Sequence, residues 1–242
     1  MTPALTASNI FKPSGFTRAV VFDFDGTLTE VSSVRTTWES IWVALGYDVQ
    51  ECRDLHTEFD KKRITHEQWC DLTTAKFKAK NLHRDCLSDI ADSIKLIHGC
   101  HDVFHELHKR FIKIFIVSGS ILFVIQKVIN GLYKYVDDVK ANDFKFSSCG
   151  ILTEIIGTKF DFEGKASYIT NIANNLRVSP DDILFVGNSY NDKYAYLSGA
   201  RTLCINPKDT DPSNFTVWND CIYECTDLTQ ILKFVRFPDE HS

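Results

Sequence analysis

Short apolar runs recur along the chain, and each stops at a polar residue or glycine. The first is Ala19-Val20-Val21-Phe22, which ends at Asp23. Ile112–Val117 ends at Ser118-Gly119-Ser120, Ile183–Val186 ends at Gly187-Asn188, and Thr202–Ile205 ends at Asn206-Pro207. A weaker fifth run is Cys221-Ile222-Tyr223. Continuous apolar runs this short suit strands of a parallel sheet covered on both faces. Helical patterns over 121–130, 165–176 and 192–199 lie between them, so strand and helix alternate as in βαβ crossovers.

The stretch from Val31 to Arg110 breaks this alternation. Trp38, Ile41, Trp42 and Leu45 follow the i, i+3, i+4, i+7 spacing of a helix face, and Gly46 supplies a stop. Thr65 followed by Gln68 reads as a capping box that opens another helix. The expected architecture is α/β: a Rossmann-like, three-layer parallel-sheet core with a helical insert after its first strand. The core is expected over 17–30 and 111–242, the insert over 31–110 and an N-terminal leader over 1–16.

Composition adds limits. The chain has 242 residues, 44% of them hydrophobic and 24% charged, with a formal net charge of −5. These are values of a folded globular protein, and the mildly acidic balance lacks the basic footprint of a nucleic-acid binder. No run is long enough to span a membrane as a helix, and residues 1–16 lack a signal peptide's pattern. The eight cysteines form no C-x-x-C pair, which suits reduced thiols and a cytoplasmic setting. His101, His105 and His108 share a helical face but not H-E-x-x-H spacing, and read as a solvated face.

In an open parallel sheet, ligands bind beyond the carboxyl ends of the strands. The run ends collect Asp23 and Asp25, then Ser118, then Asn188 and Asp192. In Asp23-Phe24-Asp25-Gly26-Thr27 two carboxylates leave a strand on one side, and Gly26 permits a sharp turn. This segment resembles the D-x-D-G-T opening of phosphatases in the haloacid-dehalogenase-like superfamily. Ser118-Gly119-Ser120, Lys165 at a helix start, and Gly187-Asn188-Ser189-Tyr190-Asn191-Asp192 resemble its later motifs, in order. The helical insert after the first strand is similar to a C1-type cap of the phosphoserine-phosphatase-like branch.

The resemblance implies a Mg²⁺-dependent phosphomonoester hydrolase acting on a small-molecule phosphate ester through an aspartyl-phosphate. Asp23 would be the nucleophile and Asp25 the general acid–base, with Ser118, Gly119 and Lys165 holding the phosphoryl oxygens. Mg²⁺ would take Asp23, the Asp25 carbonyl and Asn188, and Asp192 would hold metal-bound water or Lys165. Asn188 stands where the superfamily usually has Asp, which implies weaker metal binding. The charged contacts to a phosphoserine head group correspond to Ser32 and Thr73, which argues against phosphoserine; Glu30, Arg35, Arg53 or Arg63 could stand in. Cap aromatics facing the site would instead favour a flat or cationic substrate. The alternatives are a phosphotransferase of the same fold and a binding protein without catalysis.

Overall fold

β1 (Ala19–Phe22) is buried along its whole length, because it sits at the centre of the sheet with strands on both sides and helices on both faces. The computed structural model describes residues 11–30, 36–160, 163–207 and 217–238. Its sheet has the order β4-β3-β2-β1-β5-β6-β7. The other strands are β2 (Lys113–Ile121), β3 (Asp138–Phe146), β4 (Leu152–Ile156), β5 (Ile183–Gly187), β6 (Arg201–Ile205) and β7 (Asp220–Ile222). β1 pairs in parallel with β2 and β5, and β6 and β7 extend the sheet in the same sense.

The alternation of side chains along β1 builds the layers. Val20 and Phe22 point into one core with Phe104, Leu107 and Ile125. Ala19 and Val21 point into the other, with Phe185 and with Ile169 and Ile172 of α7 (Glu163–Leu176). This is the expected three-layer α/β core. One edge differs from expectation: β4 runs antiparallel to β3, and neither strand stands out in the sequence. The residues Asp138 to Phe146 mix charged and apolar positions, so the apolar-run signal of the central strands is absent.

Among the described residues the insert holds α1 (Thr37–Ala44), α2 (Val49–Asp60), α3 (His66–Ala79) and α4 (Arg84–Ser93). Thr65 caps α3 in the capping box that its spacing with Gln68 predicts. Trp38, Ile41, Trp42, Phe77 and Leu87 form a separate core, which also takes Phe144, Leu152 and Ile155 from the β3–β4 hairpin. The chain leaves and returns on a two-stranded base: Thr29 pairs with Leu96, the Glu30 N–H donates to Lys95 O at 2.9 Å, and the Ile97 N–H donates to Leu28 O at 2.9 Å.

The next helix, α5 (Cys100–Lys109), packs Val103, Phe104 and Leu107 onto the sheet, and α6 (Leu122–Val128) follows β2. Packing therefore groups α5 with the core layer, whereas its sequence pattern merges with the helices before it and extends the expected insert to 110. His101, His105 and His108 lie on the exposed side of α5, and the His108 ring lies tilted against Tyr135 with centroids 5.0 Å apart. At the start of the chain, the Ser14 N–H donates to Asp182 at 2.9 Å and the Thr17 N–H to Arg236 O at 2.7 Å, so the end of the expected leader is docked on the core. Residues 1–10 lie outside the described residues. All eight cysteines are free thiols. Among the described residues, no helix is long and apolar enough to cross a membrane.

Candidate active site

β1 carries Asp23 to the carboxyl edge of the sheet, where its N–H continues the ladder to Val186 O at 2.9 Å. The chain then folds back tightly. The Phe24 carbonyl accepts from Thr27, Leu28 and Thr29 N–H at 3.1, 3.0 and 3.3 Å. Gly26 has φ +76°, a left-handed backbone that a side chain would strain. The turn presents Asp25 to the first residue of α1. Its Oδ1 accepts from the Thr37 hydroxyl at 2.8 Å and from the Thr37 N–H at 3.2 Å.

The end of β2 is irregular. Its register against β3 shifts between Val117 and Ile121, which places Ser118-Gly119-Ser120 in a bulge. The Gly119 carbonyl accepts from the Trp38 indole at 2.8 Å and from the Asn142 side chain at 2.6 Å. The Ser120 N–H donates to Ser118 Oγ at 3.2 Å. The Ser120 hydroxyl is buried without a hydrogen-bond partner.

Beneath these residues lies a buried charge cluster. Lys165, in the first turn of α7, is 0% exposed, and its Nζ donates to Asp23 Oδ1 at 2.9 Å and to Asp192 Oδ1. The other Asp192 oxygen accepts from the Asn188 and Ser189 N–H groups at 2.9 and 3.1 Å and from the Ser189 hydroxyl at 3.1 Å. Both Asp192 oxygens are thus engaged, one by the lysine and one by the turn after β5. Gly187 makes the turn possible, because a Cβ there would lie 2.7 Å from the Asp192 carboxylate.

Burial, reinforced by Asp192 and opposed by Lys165, pushes the Asp23 carboxyl up to about 6. Burial opposes the charge on Lys165, but Asp192 and then Asp23 outweigh it and hold the ammonium above the ordinary lysine range. Lys165 is therefore cationic across the physiological range, a fixed positive charge beside Asp23.

Asp23, Asp25, Ser118, Gly119, Ser120, Ser189 and Asn191 line one cavity of about 500 Å³ with residues of the helical insert. The insert supplies Trp38, Phe59 and Trp69, and the charged or polar groups Glu39, Arg53, His56 and Asp60. Arg53 grips Glu39 through two hydrogen bonds, at 2.9 and 3.1 Å. Every residue expected at the site is therefore at this edge of the sheet: Asp23, Asp25, Ser118 and Gly119 on the cavity, Lys165 and Asp192 bonded beneath Asp23, and Asn188 bonded through its backbone to Asp192.

A divalent cation fits this donor set. The Asn188 side chain is 1% exposed, and neither its amide oxygen nor its amide nitrogen has a partner. An orphaned buried amide oxygen is a costly feature unless a ligand meets it. Among the described residues no three His, Cys, Asp or Glu side chains gather as a metal site. A cation at this edge would rely instead on neutral oxygen donors such as the Asn188 amide beside the Asp23 carboxylate, donors that suit a hard ion such as Mg²⁺.

Residues 17–195 match the family model of haloacid dehalogenase-like hydrolases. The chain belongs to the haloacid dehalogenase-like hydrolase family. A phosphoserine phosphatase of Archaeoglobus fulgidus is 23% identical over 192 residues, covering 79% of this chain and 53% of that protein. The chain thus spans about half the length of the curated relative it matches. A solved phosphoserine phosphatase carrying a phospho-aspartyl intermediate analogue superposes with a TM-score of 0.75 at 22% identity, covering 91% of this chain and 100% of that one. A family hydrolase from Salmonella enterica serovar Typhi superposes with a TM-score of 0.77 at 16% identity, covering 95% and 74% of the two chains. At these identities the superpositions establish a shared fold.

Several of the site's contacts leave no trace in the sequence pattern. Thr37, Asn142 and the Ser120 hydroxyl give no local signal, because their roles arise from elements that meet only in the fold. Of the groups considered for a substrate head group, Arg53 lines the cavity, whereas Arg63 pairs with Glu58 away from it. Glu30 is exposed on the two-stranded base. Thr73 is fully buried with its hydroxyl unpartnered. Ser32 and Arg35 lie outside the described residues.

Proposed function

We propose that this hydrolase cleaves small phosphate monoesters with Mg²⁺, through a phosphoryl group carried on Asp23. One observation carries the reading: a buried lysine joins two carboxylates below a cavity that Asp23, Asp25 and Ser118 share. Phosphoryl transfer asks mainly for positioning and charge neutralisation. The site holds three carboxylates against one lysine, and the substrate adds further negative charge. A cation is needed to balance this, and the Asp23 carboxylate, Asp25 carbonyl and Asn188 amide oxygen would hold it. When bound, Mg²⁺ would neutralise the phosphoryl charge.

In the first step an Asp23 carboxylate oxygen bonds to phosphorus as the ester oxygen departs with a proton from Asp25. In the second, Asp25 takes a proton from water, whose oxygen bonds to phosphorus. The phosphorus–Asp23 bond breaks, releasing inorganic phosphate and restoring the carboxylate. Ser118 and the Lys165 ammonium hold the phosphoryl oxygens, and Asp192 holds Lys165. The two Thr37 donors fix which way the Asp25 carboxyl faces. We take the four helices α1–α4 as a cap that encloses the leaving group and keeps bulk water out of the first step. The leaving group lies against Trp38, Phe59 and Trp69, with Glu39 and Arg53 beside it. Neither Ser32 nor Thr73 supplies a charge, so phosphoserine itself is not the substrate that we favour.

Hydrolysis of p-nitrophenyl phosphate with and without Mg²⁺ tests the reaction class. Turnover is expected only with the metal; equal turnover in a chelator overturns the proposal. A panel of phosphorylated metabolites then orders the leaving groups. A further outcome concerns Asn188. Asn188→Asp adds a charged oxygen ligand and lowers the Mg²⁺ concentration for half-maximal activity by roughly an order of magnitude. The same change lowers the melting temperature of the metal-free protein, because it buries another carboxylate without a partner. An unchanged Mg²⁺ titration counts against Asn188 as a ligand.

A further inference from the structure

Three tryptophans pack together in the helical insert, and they treat their indole N–H groups differently. Those of Trp42 and Trp69 are buried without partners. That of Trp38 crosses to the core and donates to the Gly119 carbonyl at 2.8 Å, where Asn142 also donates, at 2.6 Å. The carbonyl of Gly119 and the N–H of Ser120 belong to one rigid peptide plane and point in opposite directions. The Ser120 N–H donates to Ser118 Oγ at 3.2 Å. A hydroxyl that accepts on one side has its single hydrogen left to donate elsewhere. Ser118 lines the cavity with Asp23, so that hydrogen is available to an oxygen bound there.

We propose that Trp38 is a positioning residue: by holding the Gly119–Ser120 peptide it aims the Ser118 hydroxyl at a bound phosphoryl oxygen. The chain of bonds runs from α1 to the indole, the peptide, Ser118 and the ligand, so the seating of the helical insert reaches the phosphate-binding loop through one peptide. Donors at the carbonyl also strengthen the N–H of the same peptide, since hydrogen bonds in series polarise one another. Trp38 touches the phosphate loop from the insert, and Asn142 grips the same carbonyl from β3. The inference rests on the reading of the cavity as a phosphate site.

The test measures binding of inorganic phosphate by calorimetry in the presence of Mg²⁺, alongside KM and kcat for p-nitrophenyl phosphate. Trp38→Phe keeps the ring against Trp69, Phe77 and Phe144 but removes the donor. It is expected to weaken phosphate binding and raise KM by about three- to tenfold, the worth of one hydrogen bond, with kcat within about twofold. Trp42→Phe removes an N–H that has no partner, at a ring that does not line the cavity, and is expected to leave both values unchanged. In a Ser118→Ala background the Trp38→Phe loss should disappear, because its target is gone. Asn142→Ala, which removes the other donor, should show the same dependence on Ser118 and serves if Trp38→Phe does not fold. Equal losses in both backgrounds, equal effects at Trp38 and Trp42, or a Trp38→Phe protein with unchanged phosphate affinity each overturn the proposal. A wild-type protein that binds phosphate but hydrolyses nothing overturns the hydrolase reading and leaves this one to the binding data. A wild-type protein that binds no phosphate overturns both.

Discussion

Asp23→Asn is expected to abolish turnover, by about ten-thousand-fold or more, and to make the metal-free protein more stable at pH 8. The first effect follows from the proposed role of Asp23 as the attacking oxygen, since a carboxamide does not displace an alcohol from phosphorus. The second follows from the environment of the carboxylate. Burial, with Asp192 behind it, raises the Asp23 carboxyl from 3.8 to about 6, despite its bond to Lys165. The folded protein therefore binds this proton more tightly than the unfolded chain does. Stability from the group is full below pH 4 and falls as pH rises to about 6, on the order of 3 kcal/mol in all. The asparagine variant lacks that loss. Its unfolding free energy should exceed that of wild type at pH 8, and the two should converge at pH 4. Saturating Mg²⁺ should narrow the gap at pH 8, because the wild-type carboxylate is the better ligand. Urea unfolding at both pH values, with and without metal, is the measurement. A variant less stable than wild type at pH 8 without metal, or one that retains turnover, removes Asp23 from the role of buried nucleophile.

This stress is concentrated where the sequence is easiest to read. Asp23, Ser118 and Asn188 all follow apolar runs of central strands, and those runs are unmistakable because both sheet faces are covered. Lys165 and Asp192 gain meaning from the order of the motifs, since neither residue has a distinctive surrounding. What the sequence hides lies at the sheet's edge and in the insert. β3 contains Asp138, Lys140, Asn142, Asp143 and Lys145, so its polar content conceals it. One of those polar residues, Asn142, is buried, accepts from Thr158 at 2.6 and 2.9 Å, and fixes the Gly119 carbonyl. The residue that helps disguise the strand is thus one the site uses. Trp38 reads as core packing from its helical spacing, and it is buried in that core. Its indole N–H adds a role that periodicity does not encode, because periodicity reports a face of a helix and not the partner of one atom. The boundary at α5 is similarly mute: an amphipathic helix has the same pattern whether its apolar side meets a sheet or other helices.

Lys165→Met should cost the protein about 3–5 kcal/mol at pH 8 and reduce turnover by about a thousandfold or more. The side chain is 0% exposed and stands between two carboxylates, so its removal leaves Asp23 and Asp192 facing one another without a counter-charge. One of them must then take up a proton for the fold to persist. Its folded-state pKa rises above the unfolded value, which makes the variant's stability present at low pH and lost as pH increases. The deficit against wild type should therefore be small near pH 4 and full by pH 8. Lysine itself shows no such loss over that range, because its own raised pKa keeps it charged well into alkaline solution. A second substitution separates folding from chemistry. Lys165→Met with Asp192→Asn removes the unpaired charge beside Asp23, since a neutral amide replaces the second carboxylate. This double variant should recover much of the stability at pH 8 while its turnover stays at the level of the single variant. Recovery of both would show that Lys165 serves only to neutralise Asp192. Recovery of neither would place the energetic role of the lysine outside the cluster. Loss of stability without loss of turnover in Lys165→Met would remove the ammonium from phosphoryl binding altogether.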